Sequence, residues 1–332
     1  MKLVIIGSGS WGTALAQTAK DNGHEVVIYG IQSDEVRDIN TNHRNSKYFP
    51  KVNINPELYA TSSLREAMAI EPDMVLLAVP TFAIEGVCEE IVPTLKKKTI
   101  FINVAKGFNP RTDERLSEVI RRVVPTGKLS SVVSLIGPSH AEEVILRLLT
   151  TVSAVSQKED DAKAVQEVFS NEYFRVYTGT DEIGSEIGVA IKNVLAIASG
   201  IAHGLGYGDN TRASLITRGL QEMMRFGIVH GGKERTYMGL TGVGDLIVTC
   251  SSIHSRNFQA GSRIGMDDSA KDFLSTNKKT VEGIRTAQIV HDIAEREHID
   301  MPICEEVYQV LYMNKKPSTA IKDLMSRDLK GE

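Results

Sequence analysis

Short apolar runs rich in β-branched residues punctuate the first half of this chain, at Leu3–Ile6, Glu25–Tyr29, Met74–Val79, Ile100–Ala105, Val132–Ile136 and Thr151–Val155. Between them lie stretches with helical spacing: Thr13–Asn22, Ser33–Asn42, Phe82–Leu95, Asp113–Val123 and Ala162–Phe169. Runs that are continuously apolar, rather than alternating, belong to strands covered on both faces. Strand and helix in alternation then predict a doubly wound α/β domain with a mostly parallel sheet. The pattern changes near Tyr177. From Asp181 onwards only long helical periodicities and Gly-rich turns remain, so the chain divides into residues 1–180, a sheet domain, and 181–332, an all-α domain.

Composition narrows the function classes. At 332 residues with 42% hydrophobic and 10 Pro, the chain is neither collagen-like nor largely disordered. Its 38 Lys+Arg against 42 Asp+Glu give a net charge of −4, without the basic excess of a nucleic-acid binder. The run Lys96-Lys97-Lys98 reads as cations at the C-terminal end of a helix. Mean hydropathy is −0.13, and the runs LVII, MVLLAV and VLAIA fall short of the roughly 18 residues of a spanning helix, so no membrane span is expected. Cys88, Cys250 and Cys304 are far apart and odd in number, which predicts reduced thiols. With a strand starting at the N-terminus, where a signal peptide would place basic and apolar regions, the expected location is the cytoplasm.

Gly7-Ser8-Gly9-Ser10-Trp11-Gly12 follows the first strand, opens a helix and is followed by a second strand, HEVVIYG. That context turns a weak G-x-G-x-x-G match into a dinucleotide-binding, Rossmann-like signature. Gly7 makes the tight turn, Gly9 admits a pyrophosphate close to the backbone, and Gly12 lets helix and strand pack closely. The anion is held by N–H groups and the helix dipole. The second strand ends in Tyr29-Gly30-Ile31-Gln32-Ser33-Asp34, with neither acid nor base at its tip, so NAD and NADP both remain open.

Ligands of such sheets bind beyond the carboxyl ends of the strands. Lys106 follows one such end and either reaches a ligand or stays a solvated loop lysine. Gly137-Pro138-Ser139-His140-Ala141 follows another and offers a turn, a hydroxyl and a helix start. Lys192 is the most informative residue. It is the one formally charged residue between Glu186 and Asp209, inside IGVAIKNVLAIASGIA. A helix apolar nearly all round is buried. Desolvation there lowers a lysine pKa toward the range of proton transfer. Asn193 adds a second polar group. Asp245 sits in a Gly-rich turn, where a turn or capping role competes with a functional one. Ser255 is placed to cap a helix whose first turn holds Arg256 and Asn257, a combination suited to phosphate. No His or Cys spacing suggests a metal site. Tyr308–Tyr312 either packs internally or forms the face of a homodimer.

Taken together, GSGSWGTALA, NVAKGF, GPSHAEEV, IKNVLAIASGI, ITRGLQEM, GVGDLIVTC, SRN, VEG and MPICEEVYQVLY run in order over nearly the whole length. In this the chain resembles the bacterial-type NAD(P)-dependent glycerol-3-phosphate dehydrogenases. The resemblance implies reversible hydride transfer between the nicotinamide cofactor and sn-glycerol 3-phosphate/dihydroxyacetone phosphate, supplying glycerol 3-phosphate for phospholipid synthesis. It further implies that Lys192 is the proton acceptor. Lys106, Gly137, Ser139, Lys192, Asp245, Ser255, Arg256 and Asn257 would line the substrate. Gly7, Gly9, Ser10, Trp11, Gly12, Ile31, Lys106, Ala141, Arg256, Thr280 and Glu282 would contact the cofactor. The chain departs from the family pattern at Ile31, where many relatives carry His or Arg. It departs again at Arg147-Leu148-Leu149, in place of a small residue and a Leu-Pro pair, and at Thr280, often Val or Ile.

Overall fold

The apolar runs become strands whose alternate residues feed two different cores. A computed structural model describes residues 1–329. Its strands are β1 (Lys2–Ile6), β2 (Glu25–Tyr29), β3 (Tyr59–Thr61), β4 (Met74–Leu77), β5 (Thr99–Asn103), β6 (Leu129–Ile136), β7 (Thr150–Val155) and β8 (Phe174–Gly179). They form one sheet in the order β3-β2-β1-β4-β5-β6-β7-β8, parallel throughout except for the antiparallel β6–β7 pair. Leu3, Ile5, Met74, Leu76, Ile102 and Val133 point to one face, while Val4, Ile6, Val75, Leu77, Phe101 and Val132 supply the other. Because side chains alternate across a strand, a run buried on both faces must be apolar at every position.

The helices covering this sheet are α1 (Ser10–Asp21), α2 (Ser33–Asn42), α3 (Leu64–Met68), α4 (Ile84–Ile91), α5 (Leu116–Val123), α6 (Ala141–Val144) and α7 (Glu159–Phe169). Two strands, β3 and β8, lie outside the sequence-predicted runs. Both are edge strands: β3 has three residues, and β8 alternates buried Phe174 and Val176 with exposed Arg175 and Tyr177. The basic run after α4 spends charge on ion pairs, Lys96 with Glu71 at 2.8 Å and Lys97 with Asp73 at 2.5 Å.

The chain divides into two compact units, residues 1–105 with 114–182, and residues 106–113 with 183–332. The second is helical: α8 (Glu182–Gly204), α9 (Asp209–Val229), α10 (Glu234–Tyr237), α11 (Asp245–Ser251), α12 (Arg256–Met266), α13 (Lys271–Thr276), α14 (Glu282–Glu297), α15 (Pro302–Tyr312) and α16 (Pro317–Met325). Residues 106–113 belong to it because buried Phe108 packs into its apolar core. By length and hydropathy alone α8 would qualify as a membrane-crossing helix, longer than the short runs in the sequence suggest, yet 89% of its most apolar window is buried by its own chain. It is the core helix of this unit. Half-buried Tyr308 stacks on His291 at 3.6 Å and on half-buried Tyr312 at 5.3 Å.

Two helices of this unit meet backbone to backbone. A Cβ at Gly200 or Gly204 of α8 would lie 2.2 or 2.1 Å from the carbonyl oxygens of Phe258 and Ser262. One at Gly261 or Gly265 of α12 would lie 2.1 or 2.3 Å from those of Ile197 and Ile201. No side chain fits at these four positions, so α8 and α12 are locked at the closest separation their main chains allow.

Candidate active site

Lys192 occupies the middle of α8, and its side chain is 3% exposed. Its Nζ donates to Asp245 Oδ1 at 2.6 Å and to Thr249 Oγ1 at 2.7 Å. Asp245 and Thr249 stand one turn apart on α11, on the same face, and the Thr249 hydroxyl donates back to the Asp245 carbonyl at 2.6 Å. A second cation reaches the same carboxylate, with Lys106 Nζ 3.4 Å from Asp245 Oδ2. Two ammonium groups thus face one buried carboxylate, a local excess of positive charge suited to an anion. Burial, first of all, and the Lys106 cation push the Lys192 amine down against the opposing pull of Asp245, leaving it at about 7. That is the range in which an amine exchanges protons at neutral pH.

An amide chain ties this cluster to α12 and α14. Asn193 Nδ2 donates to the Lys106 carbonyl at 3.1 Å, Asn257 Nδ2 donates to Asn193 Oδ1 at 3.0 Å, and the Gly283 N–H donates to Asn257 Oδ1 at 2.9 Å. Asn257, expected as a substrate ligand, therefore has its oxygen and one N–H engaged within the protein, leaving one N–H to donate. Ser255 caps α12, its Oγ accepting from Phe258 N at 3.2 Å. Arg256 follows at the first helical position, exposed and without an ion pair among the described residues. Glu282 begins α14, beside exposed Thr280. Lys106, Lys192, Asp245, Ser255, Arg256, Asn257, Thr280 and Glu282 all belong to the helical unit. Lys106 stands three residues beyond Asn103, the last residue of β5, which is shorter than the sequence run.

The remaining candidates belong to the sheet unit. Gly7 has φ +117°, and a Cβ there would meet the Ala78 carbonyl oxygen at 2.4 Å. At Gly12 it would meet the Gly7 carbonyl oxygen at 2.0 Å, whereas at Gly9 it would meet nothing within 4 Å. Two glycines are thus required by the fold itself, and the third opens onto free space over the N-terminus of α1, the residue-by-residue form of a pyrophosphate cradle. Ser10 begins α1, and the buried Trp11 Nε1 has no hydrogen-bond partner among the described residues. These features fit a dinucleotide. Gly137 and Ser139 follow β6, the Ser139 hydroxyl donating to the Gly137 carbonyl at 3.0 Å, and Ala141 begins α6. Ile31, just past β2, is 78% exposed.

Thr249 is the residue that sequence reasoning missed. Its signal was available in D-L-I-V-T, an i, i+4 pair that puts both side chains on one helix face. Among the described residues no His, Cys, Asp and Glu cluster could hold a metal ion. Cys88, Cys250 and Cys304 are free and buried. Burial pushes the first two up to about 12 and the third well above its usual range, so none is a ready nucleophile.

Family models settle the kinship. Residues 2–162 match the NAD-dependent glycerol-3-phosphate dehydrogenase N-terminus, and residues 181–322 match its C-terminus. The chain belongs to the NAD-dependent glycerol-3-phosphate dehydrogenase family. Curated relatives named glycerol-3-phosphate dehydrogenase (NAD(P)+) include one from Enterococcus faecalis, 44% identical over all of this chain and 97% of its own length. Another, from Bacillus thuringiensis, is 45% identical with the same coverage. Among solved structures, glycerol-3-phosphate dehydrogenase from Coxiella burnetii superposes with a TM-score of 0.90 at 35% identity, covering 98% of this chain and 99% of that one. The family's two-part division follows the change from sheet to helices described above.

Proposed function

We propose that this chain interconverts sn-glycerol 3-phosphate and dihydroxyacetone phosphate with NAD(H) or NADP(H), in the cytoplasm, supplying glycerol 3-phosphate for phospholipid synthesis. The observation that carries the chemistry is the buried Lys192 amine held by Asp245 and Thr249. When bound, the nicotinamide supplies or accepts the hydride at C2. Lys192 handles the proton: neutral, it takes one from the C2 hydroxyl during oxidation; protonated, it gives one to the oxygen forming at C2 during reduction. Its ammonium has three N–H groups, and Asp245 and Thr249 occupy two of them, leaving the third for substrate. Lys106 adds positive charge where the C2 oxygen becomes an alkoxide. Asp245 orients both amines.

The phosphate end is assigned to the N-terminus of α12. Arg256 supplies a guanidinium, the first-turn N–H groups supply donors, and Asn257 supplies its remaining N–H. Gly137 and Ser139 line the substrate. Gly7, Gly9, Ser10, Trp11, Gly12, Ile31, Ala141, Thr280 and Glu282 contact the cofactor, as do Lys106 and Arg256. Anchoring a remote phosphate orients C2 for reaction. The test is steady-state oxidation of NADH and NADPH with dihydroxyacetone phosphate against a panel of unphosphorylated and carboxylate analogues. Turnover confined to the phosphorylated ketone supports the reading; equal turnover of an analogue lacking phosphate overturns it.

A further inference from the structure

The tip of β2 lies against the glycine turn. A Cβ on Gly30 would stand 2.4 Å from Ser8 Oγ, so strand tip and turn share one small volume. In a doubly wound sheet this is where the adenosine ribose lies, and an acid or an arginine there distinguishes a bare 2′-hydroxyl from a 2′-phosphate. Here the chain runs Gly30-Ile31-Gln32-Ser33-Asp34-Glu35 and holds no cation. Glu35, in the first turn of α2, is turned inward and 6% exposed. Its carboxylate accepts from the Ser8 hydroxyl at 2.5 Å and from Lys47 Nζ at 2.7 Å. Two residues further along α2, Arg37 pairs with Asp34 at 2.6 Å. Both neighbouring cations are thus already matched by α2 carboxylates. Ile31 at the exposed tip offers no hydrogen bond from its side chain.

Resting on the reading of the glycine turn as a dinucleotide site, we infer that this enzyme selects NAD(H) over NADP(H), and that Glu35 with Asp34 is the device that rejects the extra phosphate. A 2′-phosphate brings about two negative charges to a place whose cations and carboxylates already cancel, beside a carboxylate fixed to the turn itself. The adenosine ribose of NAD brings only hydroxyls, which Gln32, Ser33 and Asp34 can match. Selectivity here arises from a repulsive element and from the lack of an attractive one, the two routes by which a site discriminates.

The decisive measurement pairs kinetics with binding. Values of kcat/KM for NADH and NADPH with dihydroxyacetone phosphate should differ by at least about tenfold, the step that about 1.4 kcal/mol produces. Calorimetry with 5′-AMP and 2′,5′-ADP reads the same site without turnover, and 5′-AMP should bind more tightly. Ile31→Arg places a guanidinium at an exposed tip and should raise affinity for 2′,5′-ADP and NADPH at least tenfold, narrowing or reversing the ratio. Parity or NADPH preference in the unaltered enzyme overturns the proposal, as does an Ile31→Arg ratio that does not move. Should neither nucleotide fragment nor either intact cofactor bind, the glycine-turn reading itself falls, a failure distinct from loss of selectivity.

Discussion

Lys192 and Asp245 lie 2.6 Å apart with side chains only 3% and 1% exposed, an ammonium and a carboxylate sealed together inside a helical core. A buried pair of this kind is weak as a source of stability, because desolvation offsets much of the attraction. Its value is chemical, since it holds an amine near neutral pKa in a fixed place. Replacing Lys192 by Ala should lower turnover about 10²–10⁴-fold, the usual worth of general acid–base assistance. Near-normal kcat in a folded Lys192→Ala protein, judged by circular dichroism, would show the proton travels elsewhere.

The two reaction directions should respond to pH with opposite sign. With Lys192 as the proposed proton carrier, oxidation needs the amine neutral, so its rate should rise as pH climbs through about 7; reduction needs it protonated and should decline over the same interval. Asp245 raises the Lys192 pKa, so Asp245→Asn should carry both midpoints to lower pH, besides lowering kcat. Profiles of kcat against pH, recorded both ways, check the sign; parallel profiles in the two directions would contradict it.

In the proposed assignment Arg256 holds the phosphate, away from the reacting carbon. Arg256→Ala should therefore raise KM for dihydroxyacetone phosphate more than it lowers kcat. An unchanged saturation curve removes Arg256 from the phosphate site.

Glu222 of α9 predicts a pH dependence of folding. Its carboxylate accepts from the Ile303 and Cys304 N–H groups that open α15, at 2.7 and 3.1 Å. Burial nonetheless pushes its pKa up to about 7, against the opposing pull of those two N–H donors. The folded state therefore favours the protonated form. This contribution is full below about pH 4.5 and is lost as pH rises through about 7, on the order of 3 kcal/mol. Denaturant titrations across this interval should show the decline, and Glu222→Gln should flatten it.

Gly261→Ala tests the contact between α8 and α12. Its Cβ would lie 2.1 Å from the Ile197 carbonyl oxygen, so the helices must part. We expect a loss of about 1–3 kcal/mol, as overpacking commonly costs, together with reduced kcat/KM. Gly86→Ala in α4, exposed and with nothing within 4 Å of the new Cβ, is the control. It should be neutral or mildly stabilising.

How legible this was in the sequence depended on whether the determining contacts were local. Central strands announced themselves because burial on both faces leaves an unbroken apolar run, as in Met74–Leu77. Edge strands β3 and β8, one short and the other alternating, carry no such mark. The antiparallel turn of β7 is equally silent, since strand direction leaves no trace in a run of six residues. Lys192 stood out because a charge in an apolar helix contradicts its surroundings. Glu222 did not, because its partners are 81 or more residues away, and Thr249, though in helical register with Asp245, gains its meaning from Lys192, 57 residues away. Asn257 was read from its place after the capping serine, yet its ties to Asn193 and Gly283 are purely tertiary.

The four glycines between α8 and α12 make the separation of Lys192 from the N-terminus of α12 a main-chain dimension. Side-chain rearrangement elsewhere in the core has no purchase on it, because no rotamer stands in the gap. On the proposed assignment of the phosphate to the N-terminus of α12, the length of substrate accepted is in that sense built into the helix crossing, and trimming a side chain between the two rods would not change it.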